Sequence, residues 1–178
     1  MTNTKKIVFS AIFLILGLVI PQAFHYLPIA NTGSILLPMH IPVLLCGFLL
    51  GPLYGALVGI LTPAFSFLIT GMPPIQIMPF MVIELFAYGL VAGIMFSILK
   101  KANKMVRIYI SLIVAMILGR MVYAMSLFFA TNLLGLSKIG PIAAINGFVK
   151  GVPGIIIQLV IIPPLVYQVR KSRLFDNN

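Results

Sequence analysis

Cys46-Gly47-Phe48-Leu49-Leu50-Gly51-Pro52-Leu53-Tyr54-Gly55-Ala56-Leu57-Val58-Gly59 is apolar from end to end, and only Gly51-Pro52 punctuates it. Proline lacks the backbone N–H that a helix interior uses, and its ring clashes with the preceding turn. The residue before it is pushed out of the helical region as well. A helix therefore ends at this point and another begins, giving two neighbouring spans at roughly 40–51 and 53–70. Applied outward, the requirement of ~20 apolar residues per crossing gives four more, at roughly 7–24, 77–99, 106–132 and 140–169. The second span is short for a crossing. The last two are long enough to tilt or to include surface turns.

Composition agrees with this pattern. The chain is 61% hydrophobic and 8% charged, with a mean hydropathy of +1.18, far from the soluble range. The expectation is an all-α integral membrane protein, a six-transmembrane-helix bundle forming one domain over residues 1–178. Lys5 and Lys6 precede an apolar run, as in a secretory signal, but no small-x-small cleavage pattern follows Gly17. A retained first helix is expected. The lone cysteine, Cys46, offers no disulfide framework and reads as a small buried hydrophobe.

Basic residues set the orientation. Lys5, Lys6, Lys100, Lys101, Lys104, Arg107, Arg170, Lys171 and Arg173 fall at one set of helix ends, and only Lys138 falls in a loop at the other. Lys and Arg concentrate in cytoplasmic segments, so an N-in/C-in arrangement in the plasma membrane is expected. The net charge of +10 is mostly a topology signal, with a contribution from contact with anionic lipid of the bilayer. Nucleic acid is a poor partner, because the charges are split among separate helix ends.

Two spacings bear on packing. Gly47, Gly51, Gly55 and Gly59 recur every four residues, as do Gly89 with Gly93 and Gly147 with Gly151. Such small residues let helices approach closely in lipid. They serve either packing within the bundle or a docking face for another membrane subunit. Pro153, between Gly151 and Gly154, is expected to interrupt the sixth span beside Lys150. Irregular backbone at depth is tolerated where protein or a wet cavity covers it. The break reads either as the wall of a cavity or as an ordinary transmembrane proline. The longest polar connection, Pro21 to Pro38, centres on Ala30-Asn31-Thr32-Gly33-Ser34, which reads as a turn. It is either a lid over an outward pocket or a plain connection.

Three ionisable residues lie inside apolar stretches: Glu84, Arg120 and Lys150. Each costs at least ~2.5 kcal/mol to place at membrane depth, and such residues mark internal pairs or substrate paths. At ~1.5 Å per helical residue, they lie about 10, 18 and 15 Å below the outer ends of their spans. Tyr88 follows Glu84 by four, Tyr123 follows Arg120 by three and Asn146 precedes Lys150 by four, so each pair shares a helix face. His40 stands at the outer start of the second span, and Asn31 in the loop above. Gln76, Asn132 and Gln158 add further polar groups. Glu84, Tyr88, Arg120, Tyr123, Asn146, Lys150, His40 and Asn31 are the candidate binding residues, around a pocket with an aromatic body and a few polar anchors. Two cations against one carboxylate leave it net positive: Glu84 could pair with Arg120 and leave Lys150 free to meet an anionic group on a ligand, or the arginine fork could instead grip a carboxylate at two points. The alternative is a closed ion cluster that only orients helices.

Other chemistry is not encoded. There is no phosphate-binding glycine loop ending in Lys-Ser or Lys-Thr. Two carboxylates, two histidines and one cysteine give no clustered metal ligands. No serine sits in a nucleophile-like context. No catalytic residue, metal or cofactor is expected.

The six short spans, the basic N-terminus, the run Leu37-Pro38-Met39-His40-Ile41-Pro42-Val43-Leu44, the glycines from Gly47 to Gly59, and Gly71-Met72-Pro73-Pro74 together resemble the substrate-binding S components of energy-coupling factor (ECF) vitamin transporters. The resemblance covers nearly the whole chain. It implies an ABC importer subunit that binds a vitamin from outside and works with a transmembrane coupling (T) subunit and two cytoplasmic ATPase subunits. It also implies a first outer loop, here 21–38, that caps the pocket. The family's Ala-x-x-x-Ala docking motif on the first helix is matched only in part. Ala11 is followed four residues later by Ile15, and Ser10 and Gly17 supply the other small side chains. Within the family, the pattern resembles the branch that includes pantothenate carriers, which makes pantothenate the first choice, with cobalamin, pyridoxine, niacin and folate the alternatives. The rival readings are a stand-alone solute carrier or channel subunit and a membrane scaffold. The first should show paired broken helices in two halves, and the second leaves three buried charges without a purpose.

Overall fold

The computed structural model describes residues 1–25, 32–133 and 141–171. Seven helices follow one another among them: α1 (Asn3–His25), α2 (Thr32–Leu36), α3 (His40–Leu50), α4 (Pro52–Thr70), α5 (Met78–Ile98), α6 (Lys104–Leu133) and α7 (Pro141–Lys171). Six stretches are long and apolar enough to cross a membrane, and the chain is a multi-pass membrane protein. The second crossing runs from Gly33 to Leu50. It joins α2 and α3 through Leu37-Pro38-Met39, so a span that is short as a single helix reaches full length in two pieces.

Gly51 ends α3 with φ at 101°, a left-handed geometry that a side chain would strain, and Pro52 opens α4 at its first turn. The sharp reversal sets α3 and α4 side by side. Around it the glycine rows close inward. A Cβ on Gly55 or Gly89 would run into the other's backbone, Gly59 lies against the carbonyl of Leu85, and Gly93 lies against Pro52. Gly47 also faces the Gly89 carbonyl. The rows are internal packing, and α3, α4 and α5 form a core at backbone contact. Val43, Leu44, Cys46, Phe48, Leu85 and Ala92 are buried within it.

α1 lies against α3 and α4. Gly17 receives the side chain of Thr62, and Ser10 faces Cys46. The rest of α1 is the least covered span, with Ile7, Val8, Ile15 and Val19 exposed. α6 packs along α5, and α7 packs along α6.

Two sequence expectations change here. The 30–34 segment was expected as a turn, but Thr32–Leu36 is a short helix. It is held by α7: Gly154 sits against the carbonyls of Ile35 and Leu36, and the Gln158 side-chain amide donates to Leu37 O at 3.3 Å. Leu37 takes φ 50°, an uncommon value for a non-glycine residue, and it is buried under α7. The interruption expected at Pro153 is absent. α7 is continuous through Pro153, Pro163 and Pro164, and α4 is continuous through Pro63. A transmembrane helix loses one backbone bond at a proline and carries on where its neighbours support it.

Candidate functional site

Glu84 and Tyr88 stand one turn apart on α5 and are both buried. Opposite them on α6 is Arg120, preceded by Gly119. A Cβ on Gly119 would lie 2.7 Å from Cδ2 and Cε2 of the Tyr88 ring, so glycine there admits the tyrosine. α7 contributes Gly151, where a Cβ would lie 2.6 Å from Arg120 Nη2 and 3.1 Å from Leu37 Cδ1. His40 comes in from the first turn of α3. Its ring meets Tyr88 edge to face, with centroids 4.9 Å apart.

At the centre, Arg120 Nη1 lies 3.0 Å from Glu84 Oε1, and His40 Nε2 lies 3.6 Å from the same oxygen. Exposure is 3% for Glu84, 1% for His40 and 9% for Arg120. A lone carboxylate at this depth would be very costly, and the arginine offsets that cost. The pairing is incomplete, however. Among the described residues, Arg120 Nε and Nη2 and both ring nitrogens of His40 are buried without a hydrogen-bond partner. Buried polar atoms are seldom left so, and each costs about 1–3 kcal/mol. Tyr123, half-buried, lies close enough to feel both Glu84 and Arg120, and Gly147 stands beside its ring. The result is an aromatic-walled polar cluster with donors to spare on the α7 side.

The structure therefore brings together His40, Glu84, Tyr88, Arg120 and Tyr123. It does not bring in Lys150, which is exposed on α7 while the adjacent Gly151 faces Arg120. Asn31 lies outside the described residues, and so does the side chain of Asn146. Gln76 is exposed, and exposed Asn132 donates to Phe128 O of its own helix. Of the proposed docking residues, Ala11 is exposed, whereas Ser10 and Gly17 face α3 and α4. The depth expected for Arg120, well below that of Glu84, is corrected by their contact. Opposite Glu84, α6 continues farther than α5, by about 10 Å at ~1.5 Å per residue. Counting from its own end overstated the depth.

Sequence reasoning did not single out Gly119, and it noted Gly151 only for its spacing and for its place beside Pro153. The signal was available, since each is a small residue adjacent to a buried or candidate cation. Gln158 was noted only as polar, and its work is to tie α7 to Leu37.

A family model, ECF transporter, substrate-specific component, matches residues 5–166. The chain belongs to this family. It is the substrate-specific component of an ECF importer. No curated protein and no solved structure matches it. For an ECF S component, the family implies a vitamin-type ligand, a T subunit and ATPase partners in general terms.

Proposed function

We propose that this S component captures a small vitamin bearing a carboxylate, with pantothenate the first choice, and that Arg120 is its anchor. One observation carries the reading: Arg120 uses Nη1 on Glu84 and, among the described residues, keeps Nε and Nη2 buried and unpartnered. A planar guanidinium with two free donors is matched by a carboxylate. Glu84 holds the arginine in place, His40 offers a further donor, and Tyr88 and Tyr123 supply the apolar body of the pocket. Ligand enters from the end opposite the basic residues, which the charge distribution makes the extracellular side. Delivery runs through a T subunit driven by two ATPases, and the chain itself is not an enzyme. Arg120 and the Gly119/Gly151 spaces around it favour this over a scaffold, which needs no buried donors.

The test is native mass spectrometry of the gently purified chain, followed by titration with pantothenate and a panel of neutral and cationic vitamins. A co-purified carboxylate vitamin, or a melting temperature raised by one, is the expected result. Arg120→Met should weaken that binding about 10-fold or more, since a hydrogen bond to a charged group contributes ~1.5–3 kcal/mol. Lys150→Met should leave it within about 2-fold. Equal affinity in wild type and Arg120→Met, with both folded, sinks the assignment.

A further inference from the structure

At the basic end of the bundle, two guanidinium groups share one aromatic ring. Arg107, one turn into α6, stands over Phe96 with Cζ 3.5 Å from the ring centroid, and its Nε donates to Phe96 O at 2.6 Å. Arg170, in the last turn of α7, stands 4.3 Å from the same centroid, and its Nη2 donates to Phe48 O at 2.6 Å. Phe48 and Phe96 meet edge to face at 5.6 Å. The carbonyls belong to the last turns of α3 and α5, where cations complement the helix dipole. Each guanidinium has five N–H donors, so these contacts leave several on both.

The electrostatics are one-sided. Two like charges held at one ring repel each other, and the aromatic face offsets only part of that. Among the described residues the sole carboxylate is Glu84, which pairs with Arg120 in the other half of the bundle. Lys100, Lys101 and Lys104 add to the excess nearby. On the same helices Ile98, Tyr109 and Tyr167 are exposed, and tyrosines are common where helices leave the hydrocarbon.

We propose that Arg107 and Arg170 together seat the phosphate of an anionic phospholipid in the leaflet at the basic end. The two forks grip phosphate oxygens, a geometry in which guanidinium is favoured over ammonium. Both arginines sit within about one turn of their helix ends, which is headgroup level for helices of this length. That depth favours a lipid over an acidic protein segment.

The experiment compares phosphatidylglycerol with phosphatidylcholine, added to the full chain in neutral detergent, by native mass spectrometry and thermal melting. Wild type should retain phosphatidylglycerol and melt higher with it, and do neither with phosphatidylcholine. Arg170→Gln should reduce retention on the order of tenfold, while Lys100→Gln/Lys101→Gln leaves it unchanged. Arg170→Lys keeps the charge but not the fork, and it serves if the glutamine variant fails to fold; it too should lose retention. Asp176→Asn tests the chain's remaining carboxylate and should not lower retention. Equal retention of both lipids overturns the proposal, as does full retention in both Arg170 variants. The same stabilisation by inorganic phosphate would mark a soluble anion instead. Protection only by a co-purified T subunit would mark a protein carboxylate.

Discussion

Glycine does opposite work in the two sides of this bundle. On α3, α4 and α5, Gly47, Gly55, Gly59, Gly89 and Gly93 bring backbone against backbone. On α6 and α7, Gly119, Gly147 and Gly151 open space for the side chains of Tyr88, Tyr123 and Arg120. The first set replaces side-chain packing with helix contact, which in lipid is a main source of association. The second set gives up contact so that polar groups fit. The same residue type thus marks backbone contact in one place and the wall of a polar side-chain cluster in the other.

The largest expected effect breaks the support. Gly89→Leu would push a side chain into the Gly55 backbone, an obstacle that cannot change rotamer. Overpacking ordinarily costs about 1–3 kcal/mol, and a backbone obstacle should exceed it. Size-exclusion chromatography should show little monodisperse protein. A melting temperature near wild type would mean that α4 and α5 are not locked at this point.

Next comes the ion pair that joins the two sides. Glu84→Gln leaves Arg120 buried without its carboxylate and should cost about 3–5 kcal/mol, read as a lowered melting temperature. Adding Arg120→Met should recover most of that loss without restoring ligand binding. If the double variant melts no higher than Glu84→Gln, the pair is not coupled, and the bridge between α5 and α6 lies elsewhere.

Much of this was legible in the sequence. Gly51-Pro52 fixed the division of the spans because proline acts locally. Length and hydropathy gave the other helices because a bilayer imposes its thickness on any chain. Glu84, Arg120, Tyr88, Tyr123 and His40 were found because ionisable and aromatic groups at depth are rare and costly. Lys150 was not separable from them. Its neighbour Gly151 faces the cluster and Lys150 does not, a matter of helix rotation that a single polar residue in an apolar run does not reveal. The continuity of α7 through three prolines was hidden for a related reason: it depends on neighbouring helices that the local sequence does not specify. The glycine rows were visible, but their two uses were not, since what faces a missing Cβ is a tertiary fact.

The smallest effect separates those two uses most sharply. Gly151→Ala and Gly89→Ala add the same methyl group. At residue 89 it meets backbone, and stability should fall by more than about 1 kcal/mol. At residue 151 it meets Arg120 Nη2 at 2.6 Å and Leu37 Cδ1 at 3.1 Å, both ends of flexible side chains that can turn aside. Stability should then change by less than about 0.5 kcal/mol. The guanidinium would be displaced from the position in which Nη2 faces Gly151, and affinity for a carboxylate ligand should drop several-fold. Isothermal titration paired with thermal melts reads both quantities. If Gly151→Ala lowers stability as much as Gly89→Ala and leaves affinity intact, α7 is welded to the bundle as α5 is, and the space at Gly151 has no bearing on binding.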